Sequence, residues 1–188
     1  MSEGGPGDPW ALLGLEPSFE IEKSELRAAH LRAVSSAHPD TAVDDAERAR
    51  RTAAINRARD ILADDERRAV ALLALRGGPG SSEDKSLPDG FLMEMMELRE
   101  QIEAELGSGD DEARARWESW ADGRRAGHIE RVREFFASGG EGALAGVRAE
   151  LNAWRYIERL IEQLDPAYRH GSELDRARRR AGEDGDRG

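Results

Sequence analysis

Residues Lys23–Asp40 read KSELRAAHLRAVSSAHPD. Leu26, Ala29, Ala33 and Ala37 recur at helical spacing, and Leu31 and Val34 widen that face. The stretch therefore predicts an amphipathic helix from Lys23 to Ala37. His38-Pro39-Asp40 stops it, because the residue before a proline is pushed out of the helical region. Asp44 or Asp45 then caps a third helix to about Ala63, with Ile55, Ala58, Ile61 and Leu62 as its stripe. Asp64-Asp65 interrupts, and Arg67–Leu75 continues as a fourth helix ending at Gly77-Gly78. Upstream, Asp8 as cap and Pro9 at the first helical position open a short helix with Trp10, Leu12 and Leu13, closed near Gly14.

Downstream, Gly77–Ser86 (GGPGSSEDKS) has the composition of a linker. Three longer helical patterns follow: Pro88–Leu106, then Asp111–Ala137 closed by Ser138-Gly139-Gly140, then Glu141–Leu164 stopped by Pro166. Residues 171–188 carry almost no large apolar side chain and are expected to be disordered. No segment alternates with period two, so the fold class is all-α: a four-helix unit, then a three-helix bundle. The expected divisions are a flexible leader (1–8), a first domain (9–77), a linker (78–87), the bundle (88–168) and a disordered tail (169–188).

The chain has 188 residues, with 28 Lys and Arg against 39 Asp and Glu, a net charge of −11. An acidic balance argues against nonspecific attachment to nucleic acid or to an anionic membrane. The longest apolar run, Ala69–Leu75, is far below the roughly 18 residues of a membrane span. Met1–Asp8 lacks a basic segment followed by an apolar one, so no secretory signal is expected and a cytoplasmic location is the default. There is no cysteine, which excludes disulfides, thiolate metal sites and cysteine nucleophiles. His30, His38, His128 and His170 do not stand at metal-ligand spacing, and no phosphate-binding fingerprint appears. No cofactor, no metal and no enzymatic activity are expected.

The charge is uneven. Residues 83–112 hold eleven acidic and two basic side chains, a net of −9, whereas residues 1–76 sum to −3. Most of the net charge thus falls on the end of the linker and the helix Pro88–Leu106 with the residues just after it. At about 100° per residue, Phe91, Met95, Leu98, Ile102 and Leu106 share an arc of about 80°, an ordinary core stripe. Leu92, Met93 and Met96 are left over on a second face, bordered by Glu97, Glu100 and Glu103. Methionine rimmed by charge suits an adaptable protein-binding surface.

Several of these segments, taken together, resemble a J domain. Asp8-Pro9-Trp10 with Leu12-Leu13-Gly14-Leu15 is similar to the first-helix pattern D-x-F/Y-x-L-L-G-L. His38-Pro39-Asp40 matches the family's tripeptide. Ile55-Asn56-Arg57-Ala58-Arg59-Asp60-Ile61-Leu62 resembles I-N-x-A-Y-x-x-L, and Asp65-Glu66-Arg67-Arg68 resembles D-P-x-x-R. The resemblance implies docking on a DnaK- or HscA-type heat-shock chaperone and stimulation of its ATP hydrolysis, with no catalytic centre in the J domain itself. His38, Pro39 and Asp40 would be the trigger, and Lys23, Arg27 and Arg32 the basic docking surface. The chain departs from the family in having Ser35-Ser36-Ala37 before the tripeptide, where a basic residue and Tyr are usual, and Thr41 after it in place of Lys. That departure implies weak docking or a specialised chaperone.

A narrower resemblance lies in the second half. Phe91-Leu92-Met93-Glu94-x-Met96-Glu97-Leu98-Arg99-Glu100 is similar to F-L-M-E-x-x-E-L-R-E of HscB, the J-type co-chaperone of iron–sulfur cluster assembly. Ala71-Leu72-Leu73-Ala74-Leu75-Arg76-Gly77 resembles its Y-L-L-x-L-x-G junction. Together the resemblance covers about residues 8–165. It implies that the bundle binds an IscU-like scaffold protein through Leu92, Met93, Met96, Glu97, Glu100 and Tyr156. The family's next acidic position falls on Ala104, with Glu103 or Glu105 as substitutes. Tyr156 lies about 200° from Trp154. The core line of its helix runs through Val147, Leu151, Trp154, Ile157, Ile161 and Leu164, which favours an exposed role for Tyr156. The alternative is a general J-domain co-chaperone that delivers misfolded clients to a DnaK-type chaperone.

Overall fold

The computed structural model describes residues 7–36, 45–106 and 110–164, and every regular element among them is an α-helix. In chain order these are α1 (Pro9–Leu13), α2 (Lys23–Ser36), α3 (Asp45–Ala63), α4 (Asp65–Leu75), α5 (Phe91–Leu106), α6 (Asp111–Ser138) and α7 (Ala143–Leu164). The chain divides into two compact units, Met1–Arg76 and Gly77–Gly188.

In the first unit the helix ends follow local chemistry. Asp8 Oδ1 accepts from the Trp10 N–H at 2.9 Å and the Ala11 N–H at 3.2 Å, satisfying amides that the first turn leaves open. Gly14 closes α1 in the left-handed region at φ 64°, which lets the Leu15 N–H turn back to the Trp10 carbonyl at 3.0 Å. Asp64 likewise caps α4 by accepting from the Arg67 N–H at 2.9 Å. That cap starts α4 at Asp65 rather than at the expected Arg67. Trp10, Leu13, Leu26, Ala29, Ile55, Ala58, Leu62, Ala69, Leu72 and Leu73 are buried and form the core. Arg68 fastens its rim. Its guanidinium donates to the Phe19 carbonyl (2.7 Å) and the Leu62 carbonyl (2.6 Å), pairs with Asp65, and stacks over the Phe19 ring at 4.9 Å. One expectation fails here. Leu31, read as part of the buried face of α2, is 56% exposed, because it stands about 140° from Leu26 and about 200° from Ala29, on the side turned away from the core.

In the second unit α5 begins at Phe91 and not at Pro88. Gly90 sits at φ 76°, outside the helical region, and the Phe91 N–H bonds the Pro88 carbonyl in a turn. Asp110 caps α6 and Gly139 ends it in the left-handed region, one residue past the expected Ala137 stop. Phe91, Met95, Ile102, Trp117, Ala121, Ala153, Ile157 and Leu160 make one core cluster. Val147, Leu151, Trp154 and Ile157 are buried as the sequence pattern predicts, while the side chains of Ile161 and Leu164 lie outside the described residues. Before α5, the Asn152 side chain donates to the Asp84 carbonyl (3.1 Å) and the Ser86 carbonyl (2.9 Å), so the stretch read as linker is held on α7 at its end. Residues 1–6 of the expected leader (1–8) and all of the expected tail (169–188) fall outside the described residues, whereas Asp8, expected in the leader, is the cap of α1.

Candidate functional site

Two surfaces carry the residues singled out in the sequence. The first is α2. Lys23, Arg27 and Arg32 are all exposed on it. The helix is held against α3 by His30, whose Nε2 lies 2.9 Å from Asn56 Oδ1. His38, Pro39 and Asp40 lie outside the described residues.

The second is α5. Its inner stripe is Phe91, Met95 and Ile102, at 4%, 0% and 0% exposed, with Leu98 and Leu106 half-buried. Its outer face holds Leu92, Met93 and Met96, at 50%, 70% and 66% exposed. Glu97 and Glu100 are exposed beside them. The glutamates of α5 separate into two sets. Glu94 pairs with Arg124 of α6 at 2.7 Å. Glu105 accepts from Arg116 (3.2 Å) and from Trp117 Nε1 (3.0 Å), and the Arg116 bond chiefly holds its carboxyl below the ordinary carboxylate range. These two acids clasp α5 to α6. Glu97, Glu100 and Glu103 make no ion pair among the described residues and stay available as an acidic rim.

Tyr156 is half-buried rather than fully exposed. Its ring stands edge-on to Phe91, with centroids 5.6 Å apart, beside the first turn of α5. The tyrosine therefore props the base of the apolar face while keeping part of its own surface in solvent.

Sequence reasoning missed a buried polar network behind this face. His128 of α6 is 1% exposed and its Nδ1 lies 2.6 Å from Glu150 Oε2 on α7, so the carboxylate accepts from it. The other oxygen accepts from Arg131 Nε at 2.9 Å. Burial raises the Glu150 carboxyl, but the bonds from His128 and Arg131 outweigh it and hold the group below its ordinary value. The His128 ring also meets Phe91 edge-on at 6.1 Å. Apolar periodicity does not register such a network, since every member is polar.

Among the described residues no group of histidines and carboxylates could hold a metal ion, and no helix is long and apolar enough to cross a membrane. What the described residues present is an apolar face bordered by exposed carboxylates on α5 and, in the first unit, exposed basic side chains on α2.

Comparison with known proteins bears on both units. Residues 8–70 match the model of the DnaJ domain, and residues 87–165 match that of the HSCB C-terminal oligomerisation domain. The chain is 39% identical over 108 residues to the co-chaperone protein HscB homolog of Vibrio cholerae, a match covering 54% of this chain and 63% of that one. It thus spans less than two thirds of that relative's length. With the HscB homolog of Shewanella baltica it shares 35% identity over 121 residues, covering 60% of this chain and 70% of that one. The crystal structure of human co-chaperone protein HscB superposes with a TM-score of 0.67 at 19% identity, covering 87% of this chain and 83% of that one, a likeness of fold.

Proposed function

The chain belongs to the HscB co-chaperone family, and from that premise we propose that it serves iron–sulfur cluster assembly by joining two partners. Its bundle holds an IscU-like scaffold protein through the outer face of α5. Its J domain presents the scaffold to an HscA- or DnaK-type chaperone and stimulates that chaperone's ATP hydrolysis. The chain itself performs no bond chemistry.

One observation carries this reading. Leu92, Met93 and Met96 are exposed in a helix whose inner stripe already supplies its share of the core. Removing such a face from water stabilises a complex by about 25 cal/mol per Å² of apolar area. The unpaired Glu97 and Glu100 select a partner with basic groups around its own apolar patch. Lys23, Arg27 and Arg32 give the J domain the opposite preference. With the two docking surfaces on separate units, scaffold binding and ATPase stimulation should be separable by mutation.

The test is a pull-down with the scaffold of the same organism, repeated with Leu92, Met93 and Met96 together changed to Ala. The change should abolish capture with helicity retained. Full capture by the triple variant would remove the scaffold from this face. Equal loss of every unfolded client would favour the general co-chaperone instead. In the same preparation, His38→Gln should abolish ATPase stimulation and leave scaffold capture intact.

A further inference from the structure

A single exposed leucine is ordinary on a protein surface. The setting of Leu31 is not. α2 buries Leu26 and Ala29, so its solvent side lies opposite them. At about 100° per residue that side runs through Ser24, Arg27, Ala28, Leu31, Arg32 and Ser35. Leu31, 56% exposed, is the one large apolar side chain on it and projects among small neighbours. Arg27 stands one turn before it and Arg32 is the next residue, one to either side around the helix. Glu25 lies at the margin, near Arg32. A chain of net charge −11 thus presents here a positive face with an apolar centre.

We propose that Leu31 is the apolar anchor of the α2 docking face, seated in an apolar recess rimmed by carboxylates on the chaperone. This rests on the chaperone reading above and adds to it a residue that sets affinity. The chain lacks basic residues beside its His-Pro-Asp tripeptide, so a purely ionic face would be weak and readily screened by salt. An apolar contact is not screened. Arg27 and Arg32 then orient the approach, and Leu31 holds the complex once formed. A second copy of the chain is the competing occupant, because α5 carries an apolar face with an acidic rim. α2 ends at Ser36, two residues before the tripeptide in the sequence, which favours the chaperone.

The experiment titrates the full-length chain against a purified DnaK-type chaperone, reading ATPase stimulation at about 0.05 M and about 0.3 M salt. Leu31→Ala should raise the half-maximal concentration about tenfold at both salt levels, with the maximal rate and melting temperature unchanged. Leu31→Lys should recover binding at low salt and lose it at high salt. If Leu31→Ala titrates like the unaltered chain while His38→Gln abolishes stimulation, the anchor is wrong and the chaperone reading stands. If His38→Gln also stimulates normally, the chaperone reading itself fails. Sedimentation decides the second copy. Self-association that Leu31→Ala removes, with stimulation unchanged, assigns the anchor to another copy and overturns the proposal.

Discussion

Met95 and Met96 are neighbours on α5 with opposite surroundings. Met95 is 0% exposed within the cluster of Phe91, Trp117 and Ile157, and Met96 is 66% exposed. One residue turns a helix by about 100°, enough to carry a side chain from core to solvent. Met95→Ala should therefore cost about 2–5 kcal/mol in chemical denaturation. Met96→Ala should stay within about 0.5 kcal/mol and weaken scaffold binding. Equal destabilisation by both would make the outer face part of the core.

The features legible in the sequence were those set by local chemistry or by simple excess. Asp8 and Gly14 mark helix ends because their side chain and left-handed backbone satisfy groups the helix leaves open, and they act there as the sequence predicts. The α5 stripe already filled a helix contact, which left Leu92, Met93 and Met96 over. What the sequence hid depends on packing between elements. Leu31 is a different case: helix geometry alone sets it about 140° from Leu26 and about 200° from Ala29, so it never shared their face, and it is 56% exposed. Tyr156 was read from its angle to Trp154, but the Phe91 ring covers part of it. His128 and Glu150 are 22 residues apart on different helices, and nothing local distinguishes them from solvated side chains.

That buried pair makes stability depend on pH. The Glu150 carboxyl is lowered in the folded state from its ordinary 4.5, so its contribution is fully present above that value. It is lost as pH falls through the lower folded value. Glu150→Gln should destabilise the bundle by about 1–3 kcal/mol at neutral pH. The gap between variant and parent should close below about pH 4.5. Melting curves over that range check it, and a gap that stays constant into acid would detach the carboxylate from the effect.

Asn152 gives a prediction about the segment before α5. Its side-chain amide donates to the carbonyls of Asp84 and Ser86, on either side of the exposed Lys85. Asn152→Ala removes both bonds and should free the segment to open locally, since local opening follows lost backbone contacts. Trypsin should then cut after Lys85 several-fold faster, with the melting temperature of the bundle nearly unchanged. Cleavage at the parental rate would mean that other contacts hold the segment.

Gly146 tests how closely α6 and α7 pack. A Cβ at this position would lie 2.6 Å from the Phe135 ring, inside van der Waals contact. The glycine is therefore there for space, since its φ is not in the left-handed region. Phe135 is only half-buried, so its ring can swing outward in response, and the expected cost of Gly146→Ala is about 1–3 kcal/mol rather than unfolding. Alanine also gains helix propensity of roughly 1 kcal/mol over glycine, which offsets part of the clash. The two effects separate in a double variant. With Phe135→Ala in the background the clash is gone, and Gly146→Ala should become stabilising by up to about 1 kcal/mol. Denaturation of the four chains in this cycle reads the coupling directly. Shifts of opposite sign in the two backgrounds place the ring against the glycine, whereas the same shift in both would mean that the helices do not approach so closely there.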